Sequence, residues 1–246
     1  MIRRFQSTEV LPLELFDVVV DGHPLYRHPR NRDFLSRLAR VANLVRRGAA
    51  KREGGARPLA GRPAFETVVL TGGAVPAEPW PGPLPARRLP GCAEAGGRAI
   101  LSQLSREGAV VDLGQSRLKG WWQKRAIDVP RIPLPTGPQA RERLTSFVAE
   151  SLSELCAGSV PDTLVLALPC EVSANGTLGE CSYPWSRGDR TLVPEIAQKA
   201  GLADVVILND AELAALGARA VFASTAPALV LTVGWGVGAA LLRGHP

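Results

Sequence analysis

The chain has 246 residues, of which 46% are hydrophobic and 21% are charged, and its formal net charge at pH 7 is +6. This composition excludes an intrinsically disordered chain, and the length allows one large domain or two ordinary ones. Since no apolar run approaches the roughly 18 residues of a membrane span, and the first residues form no signal-peptide core, we expect a cytoplasmic protein with no membrane partner.

The positive charge does not indicate a nucleic-acid-binding protein. The Lys and Arg residues are scattered, and the densest cluster, RRGAAKREGGAR at 46–57, contains no aromatic residue on which a base could stack. We interpret this run as a solvated linker. A modest positive charge also suits a protein that handles phosphorylated anions.

The cysteines give no metal-binding pattern. Cys92, Cys156, Cys170 and Cys181 are spaced too irregularly for a zinc ribbon. We therefore expect four free, buried thiols and no structural metal.

The first hundred residues are predicted to contain a few separate elements. In order, these are two strands over 13–28 joined at Asp21-Gly22, a helix over 32–47 with apolar residues at three-and-four spacing, a strand over 65–73 entering a glycine turn, a proline-rich loop over 80–91 and a helix over 93–104.

Beyond residue 106 the pattern alternates between strands and helices. In order we expect a hairpin over 108–123, a helix over 139–156, a buried strand over 163–169, a helix over 191–201, a strand over 205–210, a helix over 211–222 and a hairpin about glycines over 228–242. Such alternation indicates an α/β fold. Ligands of such folds collect beyond the C-terminal ends of parallel strands, where Asp112, Pro169, Asn209-Asp210 and Gly72-Gly73 are predicted to lie.

Several of these segments resemble the actin-like phosphotransferase superfamily, and most closely its glucokinase-like sugar kinases of the repressor, open-reading-frame and kinase (ROK) family. VVDLGQSRLK (110–119) resembles the first phosphate loop, and LVLTVGWGVGAALL (229–242) resembles the second. VVILNDAELAALGA (205–218) is similar to the Asn-Asp-Ala motif that carries the catalytic base, and LALPCEVSANGTLGECSYPW (166–185) is similar to the segment that leads towards the sugar.

The order of the motifs departs from that family. VVLTGGAV (68–75) resembles the adenosine motif, which in these kinases follows both phosphate loops, whereas here it precedes them. The resemblance therefore implies a circularly permuted, actin-like (ribonuclease H-like) two-lobed α/β kinase fold. Residues 1–105 would form the nucleotide-side lobe with the adenosine motif, and residues 106–246 the phosphate and substrate lobe with the second phosphate hairpin, so that the ATP site lacks no segment. The alternative is a chance LTGG turn in an unrelated N-terminal domain.

The resemblance assigns most of the glycine-turn residues to ATP and Mg²⁺. Backbone N–H groups of glycine turns can converge on phosphates because no side chain blocks them. A carboxylate beside the phosphates suits Mg²⁺, which Asp112 would hold through water. The implied cofactor-binding residues are Asp112, Gly114, Gln115, Ser116, Lys119, Gly234, Trp235 and Gly236 for the phosphates, and Gly72, Gly73 and Ala74 for the adenosine.

Asp210 is the predicted catalytic residue, because the resemblance places it as the general base that accepts the proton of the attacking hydroxyl. The alternative is that Asp210 caps the helix that follows. Candidate substrate-binding residues are Asn209, Asn175, Glu212 and Trp185. Asn175-Gly176 is equally a plain turn, and Trp185 equally a core residue.

The sequence also departs from the family at the site itself. Gln115 replaces a glycine of the first phosphate loop, Trp235 replaces the threonine of the second, and the family's Gly-Glu-x-Gly-His sugar clamp is missing. The predicted function is an ATP-dependent kinase acting on a hydroxyl of a small sugar, amino sugar or cyclitol. The alternative is a catalytically weak or inactive actin-like nucleotide-binding or scaffold protein. The implied partners are ATP and a small polyol, with a homodimer allowed and no nucleic acid.

Overall fold

The structure is a computed structural model. It describes residues 1–7, 10–13, 19–20, 23–24, 34–46, 49–52, 55–58, 65–73, 75, 77–114, 117–130, 138–173, 175–181, 190–222, 225–234 and 237–244.

The described residues form strands and helices along the whole chain. The strands are β1 (Ile2–Arg4), β2 (Val10–Leu13), β3 (Val19–Val20), β4 (His23–Pro24), β5 (Ala49–Arg52), β6 (Gly55–Pro58), β7 (Thr67–Thr71), β8 (Ala86–Arg88), β9 (Gly108–Leu113), β10 (Arg117–Trp122), β11 (Arg125–Pro130), β12 (Thr163–Leu168), β13 (Cys170–Val172), β14 (Leu178–Cys181), β15 (Asp204–Asn209), β16 (Ala228–Val233) and β17 (Val237–Leu242). The helices are α1 (Phe34–Arg46), α2 (Cys92–Gln103), α3 (Pro138–Leu155), α4 (Leu192–Lys199) and α5 (Asp210–Phe222).

The chain is a mixed α/β protein that divides into two compact units. Unit 1 comprises residues 1–6 and 93–213, and unit 2 comprises residues 7–92 and 214–246. The chain therefore changes unit at three places, whereas the sequence predicted one boundary near residue 105. No helix within the described ranges is both long and apolar enough to cross a membrane.

Unit 1 is built on a six-stranded sheet in the order β1-β15-β12-β9-β10-β11. β9, β12, β15 and β1 run parallel, while β10 pairs antiparallel with β9 and β11 pairs antiparallel with β10. The central strand β12 consists entirely of buried residues, as expected for a strand covered on both faces. Its position brings the C-terminal ends of β9, β12 and β15 to one edge of the sheet.

Helices cover the two faces of this sheet. Leu144 of α3 and Ile196 of α4 are fully buried in one apolar cluster with Val111, Leu166 and Ile207 of the sheet. On the opposite face, a Cβ added to Gly97 of α2 would lie 2.3 Å from a Val110 methyl carbon. Because that position is a glycine, α2 can pack closely on β9.

Unit 2 contains a five-stranded sheet in the order β2-β17-β16-β7-β8. β16, β7 and β8 run parallel, while β17 pairs antiparallel with β16 and β2 pairs antiparallel with β17. Leu38 and Val45 of α1 are buried against Leu70 and Leu231 of the sheet. The predicted stripe of apolar residues on this helix therefore faces a core.

The two units share one strand arrangement. In unit 1 the five strands β11-β10-β9-β12-β15 have the same relative directions as β2-β17-β16-β7-β8 in unit 2. In unit 1 these positions are filled in the chain order β9, β10, β11, β12, β15. In unit 2 the equivalent order begins with β16 and β17 at the end of the sequence and continues with β2, β7 and β8 near its start.

The predicted helices are present, and the hairpins over 108–123 and 228–242 are confirmed by the β9–β10 and β16–β17 pairs. β3 and β4 pair antiparallel on either side of positions 21–22, as predicted. The solvated-linker interpretation of residues 46–57 is wrong, because β5 and β6 form an antiparallel hairpin there. The proline-rich loop also contains a short strand, since β8 joins β7 as a parallel edge strand.

The cysteine prediction holds for two residues and fails for a third. Cys92 and Cys156 are free and buried. Cys170 is disulfide-bonded, which the sequence spacing did not indicate. The reason lies in β-sheet register, since β13 pairs with β14 so that the Cα positions of Cys170 and Cys181 are directly opposite each other.

We predict that Gly72→Ala destabilises the protein more than Gly91→Ala. Both glycines have positive φ angles, of 108° and 73°, but a Cβ at Gly72 would lie 2.3 Å from the Val233 carbonyl oxygen, whereas a Cβ at Gly91 would have no neighbour within 4 Å. The clash should cost about 1–3 kcal/mol beyond the shared backbone strain. Urea unfolding of both variants measures the difference, and equal stabilities would contradict this account of the turn.

Candidate active site

Strand register in unit 1 brings two carboxylates to the same edge of the sheet. Asp112 of β9 is opposite Ala167 of β12, and Asn209 of β15 is opposite Leu168 of β12. Asp210 follows directly as the first residue of α5. Both aspartates keep part of their surface accessible, so a ligand can reach them.

Asn209, not Asp210, caps helix α5. Its side-chain Oδ1 accepts a hydrogen bond from the Ala211 N–H at 2.8 Å. Three residues on, Glu212 returns the interaction, because its Oε2 accepts the Asn209 N–H at 3.0 Å. This reciprocal pair is a capping box. The capping role that the sequence allowed for Asp210 is therefore filled by its neighbour, although the Ala211 N–H also donates to Asp210 Oδ1 at 2.8 Å.

The environment of Asp210 raises its pKa from the ordinary aspartate range to about 7. The largest cause is burial, which removes water from the charged form, and the second is repulsion from the Asp112 carboxylate. Hydrogen bonds from the backbone N–H groups of Asp210 and Ala211 oppose the rise. With a pKa about 7, the carboxyl exchanges its proton near neutral pH, as a general base must.

Asp112 lies in a row of charged residues across three strands. It is opposite Lys119 of β10, which is opposite Asp128 of β11. Burial raises the pKa of Asp112, the Lys119 ammonium opposes that rise, and the Asp128 carboxylate adds to it. Asp128 is also ion-paired with Arg117, whose Nε lies 2.6 Å from its Oδ1. Lys119 thus supplies positive charge beside Asp112, and its role in binding phosphate stays a prediction.

The glycine turns at the ends of β7 and β16 lie together in unit 2. Thr71 and Thr232 are opposite each other in the parallel pair, so the turns that follow start at the same level. Gly72 lies against the Val233 carbonyl, immediately before Gly234. The structure therefore brings Gly72 and Gly73 of the predicted adenosine motif next to the predicted second phosphate turn.

Three of the candidate substrate-binding residues, Glu212, Asn209 and Asn175, make hydrogen bonds that stabilise the local structure. Both oxygens of the buried Glu212 side chain have partners, since Oε1 lies 3.0 Å from Arg4 Nη2 and Oε2 caps the helix. Asn209 Nδ2 donates to the Cys170 carbonyl oxygen at 2.9 Å. Asn175 stabilises a turn, where its Oδ1 accepts the Thr177 N–H at 3.2 Å and Gly176 has a φ of 79°.

Asn175 also lines an open pocket of about 270 Å³ in unit 1. Its lining also includes Arg190, the first turn of α4 at Val193 and Pro194, and Ile2 of β1. This pocket is lined by neither Asp112 nor Asp210. The sequence predicted that Asn175 and Asp210 would line the same substrate site, but Asn175 lines a pocket that Asp210 does not line.

Six predicted site residues fall outside the described residues. They are Gln115 and Ser116 of the first phosphate loop, Trp235 and Gly236 of the second, Ala74 of the adenosine motif and Trp185 of the substrate segment. Their assignments stay predictions.

Sequence reasoning missed Arg4 and Asp128. Arg4 is placed by β1, a strand of three residues, which is too short for any periodic signal. Asp128 is placed by the β10–β11 register, and the alternation of this exposed residue with the half-buried Ile127 and Val129 was the only indication available.

The described carboxylates fit a magnesium ion that is held mainly by other ligands. Within the described ranges, no group of three or more His, Cys, Asp or Glu residues is arranged to hold a metal. Mg²⁺ usually takes one or two carboxylates and completes its octahedron with water and phosphate oxygens. The Asp112 and Asp210 carboxylates repel each other, and a bound cation would relieve this repulsion.

The chain matches no protein-family model, and no curated protein shows significant sequence similarity to it. The site is therefore interpreted from its own geometry and charge.

We predict that Asp112→Asn lowers the pKa of Asp210 below about 7, because the substitution removes the like charge that opposes ionisation. Carbon-detected NMR of the Asp210 carboxyl measures this directly in a pH titration. Asp162→Asn, at an exposed position just before β12, serves as a control and should leave the titration unchanged. An Asp210 pKa that does not fall in Asp112→Asn would show that the two carboxylates do not interact.

Proposed function

We propose that this protein is an ATP-dependent kinase of actin-like fold that transfers the γ-phosphoryl group to a hydroxyl of a small sugar, amino sugar or cyclitol. The observation that carries the proposal is the pair of electrostatically coupled carboxylates, Asp112 and Asp210, at the C-terminal edge of three parallel strands. Ligand sites of α/β proteins lie at such edges.

The strand arrangement supports the fold assignment. The proposed actin-like fold is two-lobed, and each of the two units of this chain has three parallel strands extended by an antiparallel meander of two strands. Both units have this arrangement, in the orders β11-β10-β9-β12-β15 and β2-β17-β16-β7-β8. The rotated chain order within unit 2 is what a circular permutation would produce.

Asp210 is the proposed general base. It stands at the start of α5 but is not needed as its cap, because Asn209 and Glu212 form the capping box. Asp210 Oδ1 accepts a hydrogen bond from the Ala211 N–H, and part of the residue stays accessible to a substrate. A pKa about 7 lets it accept the proton of an attacking hydroxyl near neutral pH.

The proposed phosphate-binding turn of unit 1 follows β9, where Gly114 lies directly after the strand that carries Asp112. Within unit 2, Gly234 lies directly after β16. The roles of Gly234 in binding phosphate and of Gly72 and Gly73 in binding adenosine stay predictions from the resemblance. Asp112 would hold Mg²⁺, which when bound neutralises charge on the phosphate oxygens.

The alternative proposal is a nucleotide-binding protein with weak or no catalysis. Gln115 and Trp235 support it, because both replace residues that would leave room for phosphates. The two proposals make the same prediction for ATP binding and opposite predictions for turnover.

We predict that Asp210→Asn binds ATP and Mg²⁺ as tightly as the unsubstituted protein but loses about 10²- to 10⁴-fold in turnover, since a neutral amide cannot act as a base. Calorimetry measures the binding, and a coupled assay with a panel of sugars, amino sugars and cyclitols measures the turnover. Asp162→Asn is the matched control and should retain full activity. Binding without turnover in the unsubstituted protein would favour the alternative, and absence of ATP binding would overturn both proposals.

We predict that kcat/KM rises with pH through about 7 and then levels off. Asp210 must be ionised to act as a base, so activity should fall about tenfold for each pH unit below its pKa. The same raised pKa has the opposite effect on stability. Between the ordinary aspartate pKa and about 7 the folded state binds more protons than the unfolded state, so the free energy of unfolding should decrease as the pH rises through that window. A rate that is independent of pH between 5 and 8 would contradict the role of Asp210.

A further inference from the structure

Strand β1 brings two arginines alongside β15. The parallel register places Arg3 opposite Val206 and Arg4 opposite Ile207, and the Phe5 N–H donates to the Ile207 carbonyl at 3.0 Å. β1 therefore follows β15 towards the end that carries Asn209. The first six residues belong to the same compact unit as the candidate site.

Arg4 forms an ion pair with the carboxylate that caps α5. Its Nη2 lies 3.0 Å from Glu212 Oε1, and the two side chains are only 20% and 10% exposed. A carboxylate with so little access to water is stable only if its charge is paired and its oxygens accept hydrogen bonds. Arg4 satisfies one oxygen of Glu212, and the Asn209 N–H satisfies the other.

The contacts continue from Glu212 to the residues on either side of Asp210. The Glu212 carboxylate accepts a hydrogen bond from the Asn209 N–H, and the Asn209 side-chain oxygen accepts one from the Ala211 N–H. Asn209 is also fixed from the other side by its bond to the Cys170 carbonyl. Asp210 lies between two residues whose backbone positions depend on this network.

We propose that Arg4 is a positioning residue for Asp210: by pairing with Glu212 it fixes the first turn of α5 and hence the direction of the Asp210 carboxylate. Its effect on catalysis rests on the proposed kinase function. Its effect on the geometry of the helix start does not.

Arg3 provides a matched control on the same strand. It forms an ion pair of the same length, 3.0 Å, with Asp204 at the opposite end of β15. Removing Arg3 weakens the attachment of β1 to the sheet but leaves the capping box intact. If Arg4 contributed only to stability, substitution of Arg3 or Arg4 should have the same effect on amide exchange at the start of α5 and on kcat. If Arg4 positions Asp210, only its substitution should change them.

Amide hydrogen exchange measured by NMR tests the geometric part. In Arg4→Met the exchange of the Asn209 and Ala211 amides should become at least about tenfold faster than in Arg3→Met, because local opening of the first turn becomes easier. Arg4→Lys keeps the charge and should restore part of the protection. Equal protection of these amides in Arg4→Met and Arg3→Met would overturn the proposal.

Glu212→Gln serves as a second variant and carries the test alone if Arg4→Met does not fold. The glutamine has one accepting oxygen and one donating NH₂ group, so it cannot accept from both Arg4 and the Asn209 N–H as a carboxylate does. We expect the same rise in exchange at Asn209 and Ala211. Unchanged exchange in Glu212→Gln would also overturn the proposal.

Kinetics of phosphoryl transfer test the catalytic part. Because a displacement of about 1 Å can reduce a rate by about 10²-fold, Arg4→Met should lose roughly 10- to 100-fold in kcat with an unchanged KM for ATP, and Arg4→Lys should recover part of it. Arg3→Met should keep the kcat of the unsubstituted protein. An equal loss in both variants, or a change confined to KM, would overturn a positioning role. If the unsubstituted protein turns over no acceptor, the proposed function fails, and the exchange measurement still decides whether Arg4 holds the helix start.

Discussion

The parallel pairing of β9, β12 and β15 is the constraint on which the candidate site depends. Each strand reaches the same edge of the sheet in register, so that Asp112 and Asn209-Asp210 meet although nearly a hundred residues separate them in sequence. The central strand β12 is buried along its whole length and pairs in parallel with both β9 and β15, so it aligns the ends of these two strands. The coupling of the two aspartates follows from that register.

The same arrangement of strands occurs in both units, with a different order of segments along the chain. Unit 2 begins its sheet with β16 and β17 near the end of the sequence and completes it with β2, β7 and β8 from the first ninety residues. This explains why a glycine turn near residue 72 meets another near residue 234. The contact of Gly72 with the Val233 carbonyl requires both a glycine and the parallel register of β7 and β16.

Much of the fold was predictable from the sequence, because it rests on periodicity and turn residues. The apolar stripes of α1 and α3, the buried strand β12 and the glycine hairpin of β16 and β17 all have clear local patterns. Strands β1, β5, β6 and β8 have no such pattern, because they have only three or four residues and several of these are Gly, Pro or Arg. Their pairing is decided by tertiary contacts. The disulfide of Cys170 depends on the register of β13 and β14, which the spacing of the cysteines does not reveal.

At the site, the sequence identified Asp112 and Asp210 from their position after buried strands. It did not separate the roles of Asn209, Asp210 and Glu212, because an Asn-Asp-x-Glu segment fits either aspartate or asparagine as the cap. Only the hydrogen bonds of the helix start assign the capping box to Asn209 and Glu212 and not to Asp210. Arg4 was not identifiable either, since its role depends on a partner about two hundred residues away.

Paramagnetic NMR with ATP, and with Mn²⁺ in place of Mg²⁺, tests directly whether the Asp112–Asp210 edge binds a metal–nucleotide complex. If it does, the amide and carboxyl signals of Asp112, Gly114 and Asp210 should broaden strongly when Mn²⁺ and ATP are added together, while signals at Asp162 and Asp204, at the other end of the same sheet, should stay sharp. Broadening that is absent at this edge, or that occurs first at the other end, would contradict such binding.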